Sequence, residues 1–173
     1  MQIDPFSDSS SAEGGRAPLP WLAPALQALG SHRGHALLLH GPAGVGQFEL
    51  AAALAQRWLC EQPHIGADGV GAACGRCEAC HLLRSRIHPD LRLLAPQAWR
   101  LASGWDAPES ATDGGEGGGK SGAKPSKWIR VAEVRSGIAW SHQTASRGRA
   151  KVMVIHPASA LHGESANTLL KTL

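Results

Sequence analysis

No stretch of apolar residues in this 173-residue chain approaches the ~20 that a helix needs to cross a bilayer, so a membrane-spanning helix is excluded. The N-terminal Met1-Gln2-Ile3-Asp4-Pro5 carries neither the basic nor the apolar region of a secretory signal, and a cytoplasmic location is expected. Cysteine is scarce, and in a reducing compartment four thiols point to metal binding or catalysis rather than to a disulfide frame. A nucleophile with its base is also missing. Ser141 and His142 are adjacent and would point apart on a helix, which excludes a hydrolase triad. The 14 acidic residues are dispersed without an informative spacing, against a two-metal nuclease centre. Aromatic residues make up only 5%, and the six tryptophans at positions 21, 58, 99, 105, 128 and 140 are scattered as packing residues rather than grouped as a base-stacking platform. No catalytic residue is assigned.

What remains is a globular composition, 43% hydrophobic and 18% charged, in a chain long enough for one domain or one domain with a small module. The net charge of +3 is uneven: residues 1–20 balance to −2 and residues 104–127 to −1, leaving +6 on the rest. A mildly basic body is compatible with a nucleic-acid neighbourhood, but solvated surface lysines and arginines commonly give the same balance, so direct DNA binding is not assigned.

Residues 1–19, rich in Ser, Gly and Asp, read as a disordered leader, and residues 20–173 as the folded domain. Leu22, Leu26 and Leu29 recur at helical spacing before Gly30 and predict a short helix. The apolar run His35-Ala-Leu-Leu-Leu-His40, bounded by glycines, predicts a buried strand of a parallel sheet. Residues 41–46 form the turn after it, and residues 47–60 a helix apolar over most of its circumference. Strand, glycine loop and helix make half of a βαβ unit, hence an α/β fold. A module at about 60–82 carries the cysteines, residues 79–86 are helical, and residues 91–94 and 151–155 are short strands. Residues 104–127, with seven glycines and almost no large apolar side chains, read as a flexible surface insertion. Ile129, Val131, Val134 and Ile138 share a helical face, and residues 166–173 start a helix with no terminating signal, so the chain is expected to be truncated in mid-element.

Two motifs carry chemistry. The loop Gly41-Pro42-Ala43-Gly44-Val45-Gly46 has the frame of a phosphate-binding loop, in which backbone N–H groups converge on an anion at a helix N-terminus. The two positions after it decide the outcome. A working NTPase places Lys and then Ser or Thr there to neutralise phosphates and ligate magnesium, whereas this chain has Gln47 and Phe48. The carboxylates expected beyond a second buried strand are missing as well, because Val152-Met-Val-Ile155 runs into His156-Pro157-Ala158-Ser159. The loop then serves to set the strand-to-helix turn, with weak residual nucleotide binding as the alternative. The second motif is Cys60, Cys74, Cys77 and Cys80, which can converge on one ion as a closed four-sulfur site. Zinc is the favoured metal and an iron–sulfur cluster the rival. His81 adjoins the site as a neighbour rather than a ligand.

Pro20-Trp21-Leu22, the segment from His35 to Gly46, the four cysteines after the helix, His88-Pro89-Asp90 and Ala166-Asn-Thr-Leu-Leu-Lys-Thr-Leu173 together resemble the delta-prime subunits of the bacterial DNA polymerase III clamp loader, within the AAA+ clamp-loader family. The resemblance covers the N-terminal part of that family, over residues 20–173 apart from the glycine-rich insertion. It implies a RecA-like AAA+ P-loop fold with a parallel sheet and an inserted four-cysteine zinc module. It also implies a subunit that does not hydrolyse ATP and is not expected to bind it. Such a subunit helps load the sliding clamp onto primed DNA during replication, within a DNA-directed DNA polymerase (nucleotidyltransferase) holoenzyme. Its implied partners are motor subunits and a clamp-opening subunit in a hetero-pentamer, with the clamp and primer–template DNA reached through the complex and no membrane involved. The family's arginine finger lies in a Ser-Arg-Cys motif expected beyond Leu173. The rival readings are an ATP-hydrolysing clamp-loader motor and a zinc-dependent nucleic-acid-binding module.

Overall fold

The computed structural model describes residues 19–32, 34–65, 71–106, 124–170 and 172. The chain divides into two compact units, one built from Met1–Arg92 and Gln143–Val154, the other from Leu93–His142 and Ile155–Thr172. The fold is mixed α/β.

In the first unit a single 3-10 turn, Pro20–Leu22, leads into helix α1 (Ala23–Gly30), and helix α2 (Gln47–Leu59) packs against it. Leu50, Ala52, Ala53, Leu54, Ala55 and Leu59 are buried, so α2 is covered around most of its circumference, as its composition predicts. Leu22, Leu50 and Leu54 form the centre of this core, with Leu26, Leu29, Leu37, Leu39 and Trp58 around it. The two helices are also tied by polar contacts. Arg57 donates to the Leu26 carbonyl at 3.3 Å, and the Trp58 indole N–H donates at 3.3 Å to the Gly30 carbonyl, one of the C-terminal carbonyls of α1 that no helical N–H can reach. Glycine at position 30 makes this approach possible, because a Cβ there would lie 1.4 Å from an Arg57 guanidinium nitrogen.

The run at 35–40 departs from its predicted strand. Leu37 and Leu39 pack on the α1–α2 core, but Leu38 is 74% exposed and no described strand pairs with the segment. Three consecutive leucines hide the alternation that the structure displays, in which only every second side chain is covered.

Strands β1 (His64–Ile65) and β2 (Gly71–Ala72) pair antiparallel, with His64 opposite Ala72 and Ile65 opposite Gly71. Helix α3 (Glu78–Arg84) follows. Strands β3 (Leu91–Leu94) and β4 (Val152–Ile155) form the second two-stranded sheet. The Val152 N–H donates to the Asp90 carbonyl and the His156 N–H to the Leu94 carbonyl, both at 2.9 Å; the two bonds advance together along both strands, which makes the pair parallel.

In the second unit, helices α4 (Gln97–Ala102), α5 (Val131–Ser141) and α6 (Gly163–Leu170) are present, with α5 packed on α6. Val134 and Gly137 are the buried residues of α5. Ile129, expected on that helix face, precedes it in a parallel bridge with Leu161, and its carbonyl accepts the hydroxyl of fully buried Ser165 at 3.1 Å. Most of the predicted insertion, residues 107–123, lies outside the described residues, as do residues 1–18 of the predicted leader. The described edges of the insertion are tethered: Asp106 pairs with Arg100 at 2.8 Å, and the Ser126 carbonyl accepts the Ala98 N–H at 3.0 Å. Among the described residues no helix is long and apolar enough to cross a membrane.

Candidate functional site

The four cysteines come together because local structure folds the chain back on itself. Cys60 ends α2 in an extended conformation, and the β1–β2 hairpin returns the chain to Cys74. Gly75 then turns it at φ 69°, a left-handed conformation that glycine adopts without steric cost. Cys77 occupies the N-cap of α3, and Cys80 lies in that helix. The sulfur atoms all lie within 4.8 Å of one another. Cys60, Cys77 and Cys80 are buried with Ala73 and Ala79, and Cys74 is partly covered.

This geometry fits a metal. With metal–sulfur bonds of about 2.3 Å, tetrahedral coordination separates sulfurs by about 3.8 Å. The Cys60 and Cys77 sulfurs are 3.9 Å apart. The Cys74 N–H points at the Cys60 sulfur (3.2 Å) and the Cys77 N–H at the Cys74 sulfur (3.3 Å), the arrangement that stabilises thiolates. Burial pushes the Cys60 and Cys80 thiols up. At Cys77 burial also pushes upward, but backbone N–H groups of Cys80 and Glu61 outweigh it and hold this thiol at about 7. Four clustered cysteines of this kind can bind a metal such as zinc. His81 is exposed and lies outside the four-sulfur group.

The glycine loop stands at the head of α2. Gly44 and Gly46 have φ of 85° and 97°, and the Gly46 carbonyl accepts the Leu50 N–H at 2.9 Å to start the helix. Gly41, Pro42, Ala43, Gly44 and Val45 are exposed; Gly46 is buried, and Gln47 and Phe48 are half-buried. The loop's carbonyls are engaged from within the chain. Gln47 Nε2 donates to the Pro42 carbonyl at 2.6 Å, and the Trp21 indole N–H to the Val45 carbonyl at 3.0 Å.

A third constellation joins Asp90, whose segment His88-Pro89-Asp90 enters the sequence reading through the family resemblance and without an assigned role, to Arg147, which the sequence does not mark. Asp90, 1% exposed, accepts the backbone N–H groups of Ser146 and Arg147, while its own N–H donates to His88 Nδ1 at 3.0 Å. The Arg147 guanidinium reaches Glu61 Oε1 (2.7 Å from Nε) and Glu78 Oε2 (2.7 Å from Nη2). The sequence does hold a signal for it, since Cys60-Glu61 and Cys77-Glu78 place a carboxylate immediately after two of the four cysteines.

Residues 26–173 match the family described as DNA polymerase III, delta subunit. The chain belongs to this family. It is 34% identical over 156 residues to DNA polymerase III subunit delta' of Pseudomonas aeruginosa. Over 159 residues it is 32% identical to the subunit of that name from Escherichia coli K12 and 36% identical to that from Yersinia pestis. Each alignment covers 89% of this chain and 38% of the relative, so the chain spans well under half the length of the curated relatives it matches.

Proposed function

We propose that the chain acts as a non-hydrolysing AAA+ subunit of the DNA polymerase III clamp loader, helping a hetero-pentamer of motor and clamp-opening subunits place the sliding clamp on primed DNA. The observation that carries this reading, beside family membership, is Gln47. It occupies the position where an NTPase needs a cation, and its side chain is turned back onto the Pro42 carbonyl of its own loop. A clamp-loader motor would also need a hydroxyl at 48 and carboxylates after β4, where Phe48 and His156-Pro157-Ala158-Ser159 stand. The RecA-like framework then serves as a scaffold and leaves hydrolysis to its neighbours. Cys60, Cys74, Cys77 and Cys80 would hold zinc; with no open position for substrate, the ion would cross-link the end of α2 to the hairpin and α3.

Native mass spectrometry of the full-length protein, alone and mixed with motor and clamp-opening subunits in ATP, tests this. One zinc per chain, no nucleotide on the free chain and one copy in a five-subunit assembly support it. A monomer that retains ATP and ignores those subunits overturns it.

A further inference from the structure

Arg147 lies far in sequence from the cysteines, yet it joins the two segments that carry them. Glu61 follows Cys60 and Glu78 follows Cys77, and one guanidinium bonds both carboxylates, with Nη2 2.6 Å from Glu61 Oε1 and 2.7 Å from Glu78 Oε2. The loop bearing Arg147 is fixed independently, because its backbone N–H is held by buried Asp90 at 2.9 Å.

Charge gives this arrangement its direction. Four thiolates around a divalent ion leave a net charge of about −2, and Glu61 and Glu78 would add two further negative charges beside it. A guanidinium can bond both carboxylates at once in a planar fork, which a lysine ammonium cannot reproduce. Loss of Arg147 would leave the carboxylates to repel the site and free Glu61 to move.

We propose that Arg147 is a positioning residue of the metal centre, clamping the Cys60 and Cys77 segments through Glu61 and Glu78 and so coupling metal retention to the loop at 146–147. The inference rests on the metal reading above. Groups that orient the ligands of a metal typically contribute roughly ten- to hundredfold to its affinity.

The test uses zinc alone, loaded on the full-length protein and released to a chromophoric chelator. Arg147→Ala is expected to release zinc roughly ten- to hundredfold faster, with Arg147→Lys between it and wild type. Glu78→Gln, at a carboxylate whose side chain is 71% exposed and therefore dispensable for folding, provides a second variant and should also release zinc faster. Hydrogen exchange supplies the reverse arm: stripping zinc from the wild-type protein should speed exchange at the Ser146 and Arg147 amides. Unchanged release from both variants, with one zinc per wild-type chain, overturns the clamp and leaves the metal reading standing. A wild-type chain that takes up no zinc overturns both.

Discussion

The Asp90 carboxylate accepts the backbone N–H of Arg147 at 2.9 Å across 57 residues of chain. The Ser146 N–H at 2.8 Å completes a two-donor cradle. Burial alone would raise the pKa of this carboxyl, but the two N–H groups, with His88 and Lys151 nearby, hold it below the usual carboxylate range. A carboxyl depressed in the folded state contributes stability that is complete above its unfolded pKa, about 3.8, and is lost as pH falls through the folded value. Asp90→Asn can accept only one of the two N–H groups. It should lower unfolding stability at pH 7 by about 2 kcal/mol in urea titrations and flatten the pH dependence below pH 4. A variant with wild-type stability and an unchanged acid limb would contradict this account.

His88 acts in a different window. Burial lowers its pKa from 6.5, opposed by Asp90 and Glu61 and reinforced by Arg147. Nδ1 accepts the Asp90 N–H, so the neutral ring carries its proton on Nε2. A histidine with a depressed folded pKa favours the folded state when neutral, and this stability is lost as pH falls from about 6.5 through the lower folded value. His88→Gln should remove the slope of stability with pH just below 6.5 while leaving the Asp90 limb near pH 4. Denaturant midpoints measured every half pH unit would separate the two; an unchanged slope between pH 5 and 6.5 would rule out His88.

How much of this was legible in the sequence depended on the distance over which the signal was written. The Phe48-to-Leu59 periodicity identified α2 because helical burial repeats within one turn. The cysteine cluster was visible because Cys74, Cys77 and Cys80 share one short loop, and only Cys60 had to be brought from outside it. Leu37-Leu38-Leu39 misled because hydrophobicity marks what can be covered, whereas a strand also needs a partner to pair with. Arg147 was unreadable for another reason. It meets Glu61 across 86 residues, and no local pattern marks an arginine whose partners are set by tertiary structure.

The proposed metal site makes its own prediction. Replacing Cys80, buried at the heart of the sulfur cluster, with serine removes one of four soft ligands and should abolish stoichiometric zinc, read by elemental analysis of the purified full-length protein. Hydrogen exchange in β1, β2 and α3 should rise with it, because the hairpin has only two residues in each strand and, on the proposed reading, would depend on the metal cross-link. Iron with equimolar inorganic sulfide in the wild-type protein would assign the site to a cluster instead.

In the second unit, Ser165 offers a cleaner stability test. Its hydroxyl is fully buried and donates to the Ile129 carbonyl beside the Ile129–Leu161 bridge. Ser165→Ala removes one neutral hydrogen bond with little change of volume and should cost about 1 kcal/mol. An effect above about 3 kcal/mol would mean that the hydroxyl holds more than this single carbonyl.

The glycine loop can be tested by adding back what it lacks. Gln47→Lys supplies the missing positive charge and frees the Pro42 carbonyl, and Phe48→Thr supplies a hydroxyl for magnesium. Gly44 and Gly46 already have the left-handed conformations of the turn into α2, so the double variant should bind a fluorescent ATP analogue at least about tenfold more tightly than wild type. It should still not turn ATP over, because His156-Pro157-Ala158-Ser159 offers no carboxylate to hold magnesium or polarise water. Tighter binding without hydrolysis would locate the loss of activity in side chains on an intact frame. Wild-type affinity in a correctly folded double variant would mean that the backbone, held through Val45 by Trp21, no longer presents its N–H groups to a phosphate.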